Sequence, residues 1–173
     1  MRRIAKFEKV SFEQYLKDYQ GQDPEKTEEE IRKIYDSILL PKRATQGSAG
    51  YDFYAPEEIS LNAGETARVL TGIRSYIEPG WVLKIYPRSG LGFKYRLGLD
   101  NTVGIIDSDY YDSDNEGHIQ IKITNDSRQG KSMCVEPGKG FAQGIFVEYG
   151  ITMDDDVTEV RNGGFGSTTK QER

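Results

Sequence analysis

The chain has 173 residues, 36% hydrophobic and 29% charged, a polar but globular composition with enough apolar material for one core. Its 23 basic and 28 acidic residues give a formal net charge of −5, which excludes a nucleic-acid binder held by bulk positive charge. A single cysteine, Cys134, excludes an internal disulfide and Cys-rich zinc sites, and a single histidine, His118, excludes multi-histidine metal centres.

The chain opens without a visible signal peptide, and no apolar run reaches membrane-spanning length. A soluble, cytoplasmic protein with no membrane partner is expected. Residues Ile4 to Val10 alternate and predict a short strand. From Ser11 to Leu40 the pattern is helical. Ser11 with Gln14 and Thr27 with Glu30 fit capping boxes, in which side chains satisfy the orphan N–H groups of a helix start. Phe12, Tyr15, Leu16 and Tyr19 share one helical face, as do Ile31, Ile34, Tyr35 and Ile38. Residues 20–24 separate the two helices, and Pro41 is expected to stop the second. Beyond it lie short strands, at Val82–Tyr86, Ile119–Thr124 and Phe141–Tyr149. Turns recur at Asn62-Ala63-Gly64, Glu78-Pro79-Gly80 and Glu136-Pro137-Gly138. That spacing predicts a mainly β sandwich or barrel. From about residue 158 the chain has no periodicity and reads as a flexible arm.

Five stretches depart from generic β sequence. In Ala44–Ala55, Asp52 reads on its own as a turn residue entering a strand. Pro87-Arg88-Ser89-Gly90-Leu91-Gly92 reads equally as a strand-to-helix turn or an anion cradle. In a cradle, Gly admits phosphate oxygens close to backbone N–H groups and Arg supplies matching charge. In Asn101–Tyr110, Asp107 follows an apolar run. It is a general-base candidate, although an acidic hairpin turn is the commoner occurrence. Gln143, within Gly140–Ile145, donates either to phosphate or within a sheet. The arm combines Arg161, a Gly-Gly-Phe-Gly run, Ser167 and Thr168, suited to closing over a nucleotide or, equally, to terminal disorder. Residues 112–117 start like a calcium loop, but Ile123 stands at the twelfth position where Glu is required, so a solvated acidic loop is expected. His118 reads as a surface residue and Cys134 as non-catalytic.

Together and in this order, the five stretches resemble the motifs of the homotrimeric dUTPases, from about Pro41 to Lys170. The resemblance implies a jelly-roll-like β-barrel (β-clip), here one domain over residues 1–173, with a helical insert at about 11–40 and an arm at about 158–173. It implies Mg²⁺-dependent hydrolysis of dUTP to dUMP and pyrophosphate, which keeps uracil out of DNA and supplies dUMP. Asp107 would activate water for attack on the α-phosphate. Arg88, Ser89, Gly90 and Gln143 would hold phosphates. Asn101, Gly104, Ile106 and Gln120 would read the uracil edge, and Tyr110 would pack under deoxyribose. Arg161, Gly166, Ser167 and Thr168 would reach from the arm, with Phe165 stacking on the base. Asp52 would contact the metal through water, with no direct protein ligand. Three subunits would share each site, the arm crossing to a neighbour.

Two features depart from that pattern. The turn after Tyr110 is longer and more acidic, so the hairpin tip is expected to shift and the Gln120 contact with it. The 11–40 stretch replaces a short connection and reads as a decorated loop packed on the barrel. A dCTP deaminase of the same fold would carry a catalytic Glu where this chain has Lys122, and Arg-Ser-Ser where this chain has Arg88-Ser89-Gly90. A non-catalytic nucleotide-binding protein is the other alternative, opposed by the presence of Asp107, Tyr110 and the arm residues.

Overall fold

The computed structural model describes residues 2–159 and Arg161. Strand β1 (Ala5–Lys9) leads into helices α1 (Phe12–Gln22) and α2 (Glu28–Ser37). Six strands follow: β2 (Lys42–Arg43), β3 (Tyr51–Tyr54), β4 (Ile59–Leu61), β5 (Thr66–Leu70), β6 (Ile73–Ile77) and β7 (Trp81–Pro87). Helix α3 (Ser89–Tyr95) precedes β8 (Leu97–Leu99) and β9 (Gly104–Ile106), and a 3₁₀ turn spans Ser108–Asp112. The barrel is completed by β10 (Gln120–Asn125), β11 (Met133–Val135) and β12 (Gly140–Glu148).

All strand pairs are antiparallel, in sheets ordered β1-β6, β5-β10-β8, β11-β4 and β2-β3-β12-β7-β9. Alternation decides which side chains turn inward. Ile121 and Ile123 on β10 are buried while Lys122 between them is exposed. One core joins every layer, with Phe53, Leu83, Ile123, Met133 and Phe141 at its centre. Burying each such side chain contributes roughly 1.5–3 kcal/mol. The expected mainly β fold with an N-terminal helical insert is therefore present. The predicted turns are present too, with Gly64, Gly80 and Gly138 all at positive φ.

The helical insert belongs to the same core. Tyr15 and Ile31 are fully buried, and Gly72 leaves room for Ile38, whose Cδ1 lies 2.3 Å from where a Cβ on Gly72 would stand. That contact explains why α2 ends at Ser37 rather than at Pro41: Ile38 leaves helical geometry and reaches the barrel. At Thr27 and Glu30 the capping box is complete. At Ser11 it is half made. The Ser11 hydroxyl accepts from the Gln14 N–H, but the Ser11 N–H donates to the Glu116 carboxylate at 2.7 Å, on the far side of the sequence. The expected face of α1 is buried at Phe12, Tyr15 and Tyr19, with Leu16 partly covered against the core and Gln14 buried beside them.

Candidate active site

Strands β8, β9 and β10 and the 3₁₀ turn enclose a cavity of about 470 Å³, within the range of small-molecule sites. Six residues expected at a nucleotide site line it: Asn101, Gly104, Ile106, Tyr110, Gln120 and Arg161. Gly104 packs closely on β7, where a Cβ would stand 3.1 Å from the Ile85 side chain. The lip between β8 and β9 is tight. Thr102 sits at φ 67°, a left-handed conformation costly for a β-branched residue, and N–H groups of Thr102 and Val103 donate to Leu99 and Asn101 carbonyls. That turn fixes how the Asn101 backbone faces the cavity.

Tyr110 forms one wall. Its hydroxyl donates to the His118 carbonyl at 2.9 Å and accepts from Asn115 Nδ2 at 2.8 Å. Burial pushes its phenol above the usual tyrosine range, so the ring stays neutral. Asp107 caps the 3₁₀ turn at the end of β9 and is half-exposed. It does not line the cavity itself, but it receives Arg161 Nη2 at 2.5 Å, and Arg161 does line it. Arg161 Nε also donates to Asp109 at 3.0 Å, and its guanidinium lies 5.9 Å from the Tyr110 ring centre. The guanidinium therefore lies on two carboxylates of its own chain, where the resemblance implies an arm crossing to a neighbour.

Arg88, Ser89, Gly90, Gln143 and Asp52 gather elsewhere. None lines the cavity. Strands β3, β12 and β7 run side by side, with Gln143 opposite Asp52 and Tyr86. Asp52 is thus a strand residue, not a turn residue, and its carboxylate lies 3.3 Å from Arg88 Nε. Gln143 Nε2 donates to the Pro87 carbonyl at 3.2 Å, pairing within the sheet. Gly50 and Gly140 make room, since a Cβ on either would stand 2.9 Å from Gln143 Oε1 or 2.7 Å from Arg88 Nη1. Ser89 and Gly90 open α3, where first-turn N–H groups have no intrahelical partner. A cation beside such donors can take phosphate oxygens. Phe165, Gly166, Ser167 and Thr168 lie outside the described residues.

Two features differ from the sequence reading. His118 is fully buried, not on the surface. The long acidic turn is held by side chains of β1 and β6. Arg74 stacks on Tyr111 and donates to its carbonyl at 2.7 Å, and Glu8 accepts from the Tyr111 hydroxyl. Gly117 closes the turn at φ 68°, where a Cβ would stand 2.7 Å from the Tyr110 carbonyl oxygen. Gln120 lines the cavity. Sequence reasoning missed Lys122 and Asp100, which line the cavity and pair at 2.9 Å. Hydrogen bonds from Thr124 and Lys122 hold the Asp100 carboxyl below its usual range. The parity of Lys122 with Gln120 on β10 was the available signal.

Comparison with known proteins agrees with this geometry. The dUTPase family model matches residues 36–169. The deoxyuridine 5'-triphosphate nucleotidohydrolase of Lactococcus lactis is 41% identical over 134 residues, 76% of this chain and 88% of the relative. That of Shigella flexneri serotype 5b is 39% identical over 147 residues, covering 80% and 93%. The crystal structure of the dUTPase from Streptococcus mutans superposes with a TM-score of 0.59 at 37% identity, covering 68% of this chain and 91% of that one. With its barrel, motif order and relatives in agreement, the chain belongs to the dUTPase family.

Proposed function

We propose that the chain is a dUTP diphosphatase that hydrolyses dUTP to dUMP and pyrophosphate. The observation that carries the reading is the cavity walled by Tyr110, with Asn101 and Gln120 at its edge and Asp107 reached through Arg161. Peptide groups around Gly104 and the amides of Asn101 and Gln120 provide donors and acceptors for a uracil edge. A flat phenol ring beneath the sugar leaves no space for a 2′-hydroxyl.

Attack of water on the α-phosphorus forms one P–O bond while the bond to the bridging oxygen breaks. Asp107 takes the water's proton, and pyrophosphate leaves with the bonding electron pair. The chain supplies a base and charge, and no covalent nucleophile is needed. Arg161 is shared by Asp107 and Asp109, and phosphate oxygens would compete with both carboxylates for it.

Among the described residues no three His, Cys, Asp or Glu side chains converge to cage a metal. Mg²⁺ keeps several waters and takes phosphate oxygens, so a carboxylate beside the phosphate cluster would serve it: Asp52, 3.3 Å from Arg88 Nε, would reach it through water. Bound there, Mg²⁺ would neutralise phosphate charge.

The cavity and the Arg88 cluster are separate within one chain. We read the working enzyme as a homotrimer in which the phosphate cluster of one subunit meets the cavity of another. Phe93 on α3 and Ile151, Met153 and Val157 beyond β12 are apolar and strongly exposed, as subunit contacts would require. Among the described residues no helix is long and apolar enough to cross a membrane.

Pyrophosphate release with Mg²⁺ from dUTP, dTTP, dCTP and UTP tests the assignment. Release from dUTP at least about 100-fold above the others is expected. Equal release from all four would contradict the uracil reading, and ammonia from dCTP would identify a deaminase.

A further inference from the structure

We propose that Asp18, on insert helix α1, is a positioning residue for the nucleotide cavity, acting through His118 on Tyr110. The family match begins at residue 36, so Asp18 lies outside the span it covers. The inference rests on the reading that Tyr110 is the surface under the sugar.

The contacts run in one line. Asp18 Oδ2 lies 2.6 Å from His118 Nδ1, across 100 residues of sequence. On the opposite edge of the ring, His118 Nε2 accepts the Gly72 N–H at 2.9 Å. A ring nitrogen that accepts carries no proton, so the neutral ring bears its hydrogen on Nδ1 and donates it to Asp18. The ring is fully buried and packs against Tyr15 of the same helix, at 5.8 Å between centres. The His118 carbonyl accepts the Tyr110 hydroxyl. Its N–H donates to the Asn115 carbonyl, and Asn115 Nδ2 donates to the Tyr110 hydroxyl.

Helix α1 holds the neighbouring residue as well. Glu116 accepts both the N–H and the hydroxyl of Ser11, at 2.7 and 2.6 Å. Residues 116–118 are thus pinned at two points by the insert, directly before β10 brings Gln120 into the cavity. The long turn after Tyr110 and the helical insert are two halves of one device. A longer turn alone would leave the Tyr110 hydroxyl with a mobile acceptor, and the insert removes that freedom. Taking away Asp18 leaves a buried Nδ1–H with no acceptor, which favours rotation of the ring and movement of the His118 carbonyl.

The test compares kcat and KM for dUTP and UTP in Asp18→Ala, Asp18→Asn, Glu57→Ala and Tyr110→Ala, each with its melting temperature. Asp18→Ala is expected to cut the dUTP preference over UTP about tenfold, mainly through KM for dUTP, as a small misplacement of a binding surface does. Asp18→Asn keeps an acceptor and should retain most of the preference. Glu57→Ala breaks the contacts of Tyr19 and Lys26, which hold the insert to the barrel at another point, and should lower stability without changing the preference. If Asp18→Ala does not fold, Asp18→Glu displaces the ring while keeping the charge and carries the same comparison. An unchanged preference in folded Asp18→Ala, a loss in Asp18→Asn equal to that in Ala, or an equal loss in Glu57→Ala overturns the proposal. Tyr110→Ala separates the two layers. If it also leaves the preference intact, the sugar reading fails. If it abolishes the preference while Asp18→Ala does not, only the positioning role fails.

Discussion

Replacing Asp107 with Asn should lower kcat for dUTP by about 10³-fold while nucleotide binding survives, the span expected for loss of a general base. Asn has nearly the same shape and can still accept from Arg161, but it cannot take a proton from water. Its neighbour Asp109 keeps its own bond to Arg161 at 3.0 Å, so the guanidinium stays in place. Pyrophosphate release and calorimetric titration with a non-hydrolysable dUTP analogue measure the two quantities separately. Turnover within a few-fold of wild type would remove Asp107 from the chemistry.

Arg161→Ala should reduce kcat/KM by about 10³-fold, the lower end of the range found for arginines that neutralise a transferring phosphoryl group. The side chain is largely buried between Asp107, Asp109 and the Tyr110 ring, so its loss removes a cation from the cavity lining and leaves the two carboxylates without their shared partner. A chain ending at Val157 should behave like Arg161→Ala or worse, with a melting temperature close to the parent. The core residues all precede that point. A fully active truncated enzyme would show that residues beyond 157 take no part in closing the site.

The barrel was legible because its signals are local. Alternation of Ile119, Ile121 and Ile123 against Gln120 and Lys122 marks β10, and Glu-Pro-Gly punctuates both β6–β7 and β11–β12. Of the six expected site residues that meet at one cavity, all but Arg161 are placed there by strand parity and short turns. The misread residues depend on contacts distant in sequence. His118 has the parity of a solvent-facing position, yet β10 begins only at Gln120, and α1 covers that face with Asp18. The Ser11 motif reads as a capping box, while its N–H is satisfied by Glu116, 105 residues away. Asp52 resembles a turn residue among Gly and Ser neighbours, and only the register of β3 against β12 sets it beside Arg88. No local pattern encodes such pairings; they follow from closing the barrel.

That closure leaves the Arg88 cluster outside the lining of the Tyr110 cavity, and the proposed trimer would join the two across a subunit boundary. Mixing two inactive variants, Asp107→Asn and Arg88→Ala, in one refolded assembly tests this most directly. If a site joins the cavity of one subunit to the Arg88 cluster of another, a one-to-one mixture should recover about a quarter of the wild-type rate of dUTP hydrolysis, the statistical share of sites built from two intact halves. If both groups served one site within a single chain, every site would carry a defect. The mixture would then stay as inactive as its parents.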